Sequence, residues 1–158
     1  MLTTIQVDPA RCDGCGRCTV ACAMGGAPAG GGTGAAPRPP RLWIREAGTR
    51  RRIDVCRHCE TPVCANACVA GAISIDESSG TVRIAADKCV GCYSCIMECP
   101  FQALRFSGGK AIKCDGCSGL SSPLCARFCP TGALQAARSG GLAPRRRRHR
   151  AVIRKAGP

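Results

Sequence analysis

Sixteen cysteines stand in four groups of four along a chain of 158 residues. The first group is Cys12, Cys15, Cys18 and Cys22, and the second is Cys56, Cys59, Cys64 and Cys68. The third is Cys89, Cys92, Cys95 and Cys99, and the fourth is Cys114, Cys117, Cys125 and Cys129. Groups one and three share the spacing C-x2-C-x2-C-x3-C, with Pro100 directly after group three. Groups two and four keep that pattern with insertions of two and five residues before the third cysteine. The insertions contain Pro62 and Pro123, as loops do.

The rest of the composition makes these thiols structural. Leu, Ile, Val and Phe supply only 27 residues, and Lys and Arg outnumber Asp and Glu by 23 to 10. A chain so poor in large apolar groups and so charged stays unfolded unless another kind of bonding replaces the core. That excludes a Rossmann or TIM-barrel enzyme. The absence of any run of about 18 apolar residues predicts no membrane span. Disulfides would serve in an oxidising compartment. Met1 to Asp8 shows no basic start, apolar run or twin arginine, so the expected location is the cytoplasm, where thiols remain reduced and bind metal.

The spacing selects the metal. Three cysteines two residues apart wrap one corner of a compact cube, and a fourth, three residues on along a helical turn, points away to a second cube. This is the run of bacterial ferredoxins, and four groups of four make four 4Fe–4S clusters with no thiol left over. Structural zinc also takes four thiolates, usually as two C-x2-C pairs, but it does not explain the longer run that occurs twice. Gly14, Gly91 and Gly116 each precede the second cysteine of their group, where a positive φ lets backbone N–H groups approach the sulfurs. Group two has His58 there, read as a packed or solvent-facing side chain rather than a ligand. Tyr93 and Trp43 are read as packing residues.

Thr4 to Val7 reads as a short strand. Ile73–Asp76 and Thr81–Ile84 alternate around Glu77-Ser78-Ser79-Gly80, a hairpin pattern. Leu104–Phe106 and Ala111–Lys113 flank Ser107-Gly108-Gly109-Lys110 as a second hairpin. Residues 23–41 are a Gly/Pro-rich loop before the apolar anchor Leu42-Trp43-Ile44. Short helical turns are expected around the last cysteine of each group. The expected fold class is α+β, loop-rich, in two nested ferredoxin-like (βαβ)2 modules. The outer module is residues 1–22 plus 107–137 and the inner 53–106, with a Gly/Pro-rich insertion at 23–52 and a basic tail at 138–158. Spacing leaves two cluster pairings open. In the nested pairing the ligand sets are Cys12, Cys15, Cys18 and Cys129; Cys22, Cys114, Cys117 and Cys125; Cys56, Cys59, Cys64 and Cys99; and Cys68, Cys89, Cys92 and Cys95. In the sequential pairing, group one joins two and group three joins four.

Cys56-Arg57-His58-Cys59 with Pro62-Val63-Cys64, Lys88-Cys89-Val90-Gly91-Cys92, and Lys113-Cys114-Asp115-Gly116-Cys117 with Pro123 carry a wider likeness. Over about residues 3–137 the chain resembles the four-cluster ferredoxin-like electron-transfer subunits of oxidoreductase complexes. These include the iron–sulfur subunits of dimethyl sulfoxide reductase and formate dehydrogenase, and those of hydrogenase-linked and carbon monoxide dehydrogenase-linked systems. The small subunit of tungsten aldehyde oxidoreductase complexes is the relative favoured. The resemblance implies nested pairing and no catalysis in this chain, because the chemistry belongs to a large partner subunit with a tungsten or molybdenum cofactor. It implies single-electron relay to a second redox partner, whether a flavin or NAD subunit or further copies stacked end to end. Ala23 and Val69 stand where that family often has proline after the fourth cysteine. The chain ends soon after group four, which raises the expectation of a compact, anchorless complex. A free polyferredoxin carrier and a zinc-stapled nucleic-acid module are the alternatives.

Charge fits the metal reading. Each oxidised four-thiolate cluster carries about −2, so the formal +13 falls to about +5. Arg145, Arg146, Arg147, Arg148, Arg150, Arg154 and Lys155 alone supply +7, which leaves the body near neutral. That tail is a solvated extension or a docking strand for an acidic surface. Nucleic acid is not expected, since no aromatics interleave with the arginines.

Overall fold

The computed structural model describes residues 3–25, 38–48 and 50–138. Most of the Gly/Pro-rich segment and the whole arginine run of the tail lie outside the described residues. The elements are β1 (Thr3–Val7), a 3-10 turn (Pro9–Arg11), α1 (Arg17–Met24), β2 (Leu42–Ala47), β3 (Arg50–Val55), α2 (Val63–Asn66), β4 (Ile73–Asp76), β5 (Thr81–Ile84), α3 (Ser94–Glu98), β6 (Leu104–Ser107), β7 (Lys110–Lys113), α4 (Leu124–Arg127) and β8 (Leu134–Arg138). Short strands and a few brief helices give an α+β architecture of the ferredoxin-like kind.

The strands form four separate two-stranded antiparallel ribbons, β1–β8, β2–β3, β4–β5 and β6–β7. Isolated ribbons of this size are marginal in water, so each must lean on something else. β1 meets β8 from the opposite end of the chain, with Ile5 across from Ala136. Beside that ribbon α1 packs on α4, and in the other half α2 packs on α3.

Two hydrophobic centres result. One gathers Ile5, Leu42, Ile53, Val55 and Leu134 around Cys18, Cys22, Cys56, Cys114 and Cys125. The other gathers Ile73, Val82, Leu104 and Ala111 around Cys64 and Cys95. Cysteine is therefore part of the interior rather than an ornament on it.

Local chemistry explains the hairpins. In the β4–β5 turn, Asp76 Oδ1 accepts the N–H groups of Ser78 and Ser79 at 3.1 and 3.0 Å. The β6–β7 hairpin is longer than the sequence expectation, because Ser107 pairs with Lys110 and only Gly108-Gly109 turns. Both glycines have positive φ, 58° and 77°, which a two-residue type I′ turn demands. Within the stretch that composition assigns to the insertion, Leu42–Ala47 and the start of Arg50–Val55 form the ribbon β2–β3. The expected helical turns start before the third cysteine of each group, earlier than anticipated; Pro62 and Pro123 stand at the caps of α2 and α4.

Candidate metal centres

The helices deliver the cysteines in pairs. α1 carries Cys18 and Cys22. α2, α3 and α4 carry Cys64, Cys95 and Cys125, with Cys68, Cys99 and Cys129 just past their ends. The other eight lie in the loops before each helix. All sixteen are free of disulfides.

The loops curl through positive φ at the position before the second cysteine: 79° at Gly14, 72° at Gly91, 71° at Gly116 and 47° at His58. That conformation turns N–H groups inward. His58 N–H donates to Cys56 Sγ at 3.4 Å, and Gly116 N–H to Cys114 Sγ at 3.3 Å. The N–H groups of Arg41, Ala72 and Ala103 donate to Cys22, Cys68 and Cys99 Sγ at 3.2, 3.2 and 3.5 Å. Asp13 and Asp115 fix two loops by accepting from the N–H of Cys15 and Cys117, each at 3.0 Å.

Two groups of four thiols line cavities. Cys12, Cys15, Cys18 and Cys129 line an open cavity of about 260 Å³. Cys68, Cys89, Cys92 and Cys95 line another of about 340 Å³. Burial pushes the Cys64 thiol up to about 11, and Cys56, Cys99 and Cys59 push the same way from beside it. Burial also raises the Cys125 thiol, and Cys114, Cys117, Cys22 and Cys18 push the same way.

Thiols of different groups also act on one another. Cys18 adds to the rise at Cys125. Burial takes Cys114 up to about 12, and Cys56 contributes. α2, which carries Cys64, packs on α3, which carries Cys95. Cys15 and Cys92, one in each cavity lining, are exposed.

Such thiols suit a metal cluster. A buried thiol with a raised pKa holds its proton at neutral pH unless a cation displaces it. Among the described residues, no three Cys, His, Asp or Glu side chains come close enough to share one metal ion. Thiols spaced around cavities of this size fit a multinuclear cluster better than single zinc ions. Inward N–H groups supply the hydrogen bonds that sulfur clusters accept.

Several charged groups shape the site without any local sequence signal. Asp115 pairs with Arg38 at 2.9 Å and Arg41 at 2.5 Å. Burial would raise the Asp115 pKa, but those two arginines hold it below the usual carboxylate range. Asp54, 1% exposed, binds Arg45, Arg52 and Arg105 at 2.5, 2.7 and 3.3 Å. Arg105 lies over the Trp43 ring at 4.5 Å, and Tyr93 stacks on Phe106 at 4.4 Å, so both aromatics pack as expected. His58 is buried, with Nδ1 accepting the Val82 N–H at 3.2 Å. Desolvation, then repulsion from Lys113, lowers its pKa to about 4.

Comparison with known proteins follows the same lines. Residues 52–139 match the 4Fe-4S dicluster domain, and residues 4–28 match a 4Fe-4S binding domain. The beta subunit of the NADH-dependent phenylglyoxylate dehydrogenase of Aromatoleum evansii is 39% identical over 138 residues, covering 84% of this chain but 30% of that protein. The electron transport protein HydN of Escherichia coli K12 is 33% identical over 150 residues, covering 82% of this chain and 85% of HydN. The polyferredoxin-like subunit of the aliphatic sulfonate oxidoreductase of Pyrococcus furiosus is 31% identical over 129 residues, covering 79% of this chain and 70% of its own length.

Proposed function

Because the chain belongs to the 4Fe-4S dicluster domain family, we propose that it holds four 4Fe–4S clusters and relays single electrons between a catalytic subunit and a second redox partner. That it is an iron–sulfur electron-transfer protein of the oxidoreductase-related kind rests on the family match and the similar proteins. The number of clusters, their ligands and the partners are our reading.

In this reading the sets of the nested pairing serve as ligands: Cys12, Cys15, Cys18 and Cys129; Cys22, Cys114, Cys117 and Cys125; Cys56, Cys59, Cys64 and Cys99; and Cys68, Cys89, Cys92 and Cys95. When bound, a 4Fe–4S cluster with four thiolates supplies a one-electron couple and leaves no coordination position for a substrate. The chain does the remainder. The thiolates fix position, and the inward N–H groups of His58, Gly116, Arg41, Ala72 and Ala103 offset sulfur charge. The two apolar centres shield Cys18, Cys22, Cys56, Cys64, Cys95, Cys114 and Cys125 from water. The observation that carries the proposal is the delivery of sixteen disulfide-free cysteines by four loop-and-helix units, with two cavities each lined by four of them.

The ribbon β1–β8 and the α1–α4 contact support an outer module of residues 1–22 and 107–137 enclosing an inner one at 53–106. The partner we favour is a large subunit with a tungsten or molybdenum cofactor that oxidises an aldehyde or formate. A flavin or NAD subunit, or a second copy, would take the other end. No helix among the described residues is long and apolar enough to cross a membrane. The extent of the match to HydN, an electron transport protein, favours one alternative, a carrier that shuttles between enzymes.

Anaerobic purification followed by iron and sulfide analysis tests the cluster count; about sixteen of each per chain is expected for four cubes. Zinc in place of iron overturns the proposal. Native mass spectrometry then separates subunit from carrier, since a stable large partner supports the first and a lone monomer the second.

A further inference from the structure

Lys113 ends β7 and is 4% exposed. Its Nζ donates to the carbonyl oxygens of Val82 and Cys114. Among the described residues it forms no ion pair with a carboxylate. A buried ammonium held only by neutral carbonyls is costly unless a negative charge lies nearby. The thiols its charge acts on are Cys64 and Cys114, which belong to the third and second sets.

His58 converges on the same place. It is 3% exposed, and Nδ1 accepts a hydrogen bond from the Val82 N–H. Nδ1 therefore carries no proton, and the ring proton sits on Nε2. That Nε2–H is buried and has no hydrogen-bond partner among the described residues. It lies 3.8 Å from where a Cβ on Gly116 would stand, between Cys114 and Cys117. A single strand residue, Val82, thus anchors a cation and an orphaned donor at the junction of the two middle sets. The end sets contrast with this, since they include exposed Cys15 and Cys92 and open to solvent.

Resting on the four-cluster reading, we propose that Lys113 and His58 act together as a positioning pair that raises the reduction potential of the two middle clusters above that of the end clusters. A buried positive charge and an unpaired N–H dipole beside the cluster loop both favour the reduced, more negative state. The middle clusters then retain an electron, and the end clusters exchange with partners. The reverse influence also holds: the cluster charge is what makes burial of Lys113 tolerable.

The test is an EPR-monitored redox titration of the full chain, with Lys113→Gln, Lys113→Arg and His58→Phe. Two of the four couples are expected to move down in Lys113→Gln, and at least one of the same two in His58→Phe by a smaller amount. Lys113→Arg keeps the charge and is expected to leave all four near the wild-type positions. A Cys92→Ser variant marks the couple of the fourth set, which must not be among those that moved. The inference is overturned if all four couples shift alike, if the fourth-set couple shifts, or if none does. Should Lys113→Gln lose its clusters, His58→Phe decides alone by the same criteria. A wild-type protein with no 4Fe–4S signal would instead refute the four-cluster reading.

Discussion

Gly91→Ala against Gly108→Ala isolates how tightly a ligand loop is built. Both glycines have positive φ, 72° and 58°, so alanine at either costs about 1–2 kcal/mol for the left-handed conformation. Their surroundings differ. A Cβ on Gly108 meets nothing within 4 Å, whereas one on Gly91 stands 2.6 Å from the Gly109 carbonyl oxygen and 3.2 Å from Phe106 Cε2. The obstacle at 2.6 Å is backbone in the turn between β6 and β7, which cannot swing aside as a side chain would. The loop carrying Cys92 must then move off that turn. The assay is anaerobic bleaching of cluster absorbance in denaturant, with iron counted per chain. Gly108→Ala is expected to bleach up to about 5–30 times faster than wild type, the rate equivalent of 1–2 kcal/mol. Gly91→Ala is expected to exceed that and to lose iron from the fourth set first. Equal rates for the two variants would refute the view that the loop and hairpin are locked together.

Other substitutions probe the remaining elements. Asp54→Ala removes the shared partner of Arg45, Arg52 and Arg105; those arginines are partly exposed and rehydrate, so a loss of about 2 kcal/mol is expected, read as a lower thermal midpoint. Leu134→Ala, at a buried position lining the first thiol cavity, is expected to cost about 2–5 kcal/mol and to release iron from the first set ahead of the rest. Hydrogen bonds from Ser78 and Ser79 hold the Asp76 pKa at about 2, below the 3.8 of an ordinary aspartate. Its contribution is therefore complete above pH 3.8 and disappears as pH falls toward about 2. The bleaching-rate gap between wild type and Asp76→Asn should narrow over that window in short acid pulses.

How far the molecule could be read from its residues depends on the range of the interactions. The hairpins at 73–84 and 104–113 were legible because alternation and glycine turns are local. Ribbon β2–β3 was not, since Arg50-Arg51-Arg52 hides the alternation and the partner charges of Asp54 include Arg105, far along the chain. The meeting of β1 with β8 has no local mark in either strand, and spacing alone left the pairing of cysteine groups open. Lys113 looked like an ordinary polar strand end; its burial comes from Val82 and Cys114, which only the folded chain brings around it.

The union of β1 with β8 bears on how the protein is made. A nascent chain presents Ile5 and the α1 cysteines to the cell well before Ala136 leaves the ribosome to meet them. Under the proposed nested pairing the first set is complete only once Cys129 has been made, so the earliest-synthesised thiols wait longest. Oxygen or a scavenging metal arriving in that interval would strike the amino-terminal group first, so the beginning of the polypeptide is its most vulnerable part during biogenesis.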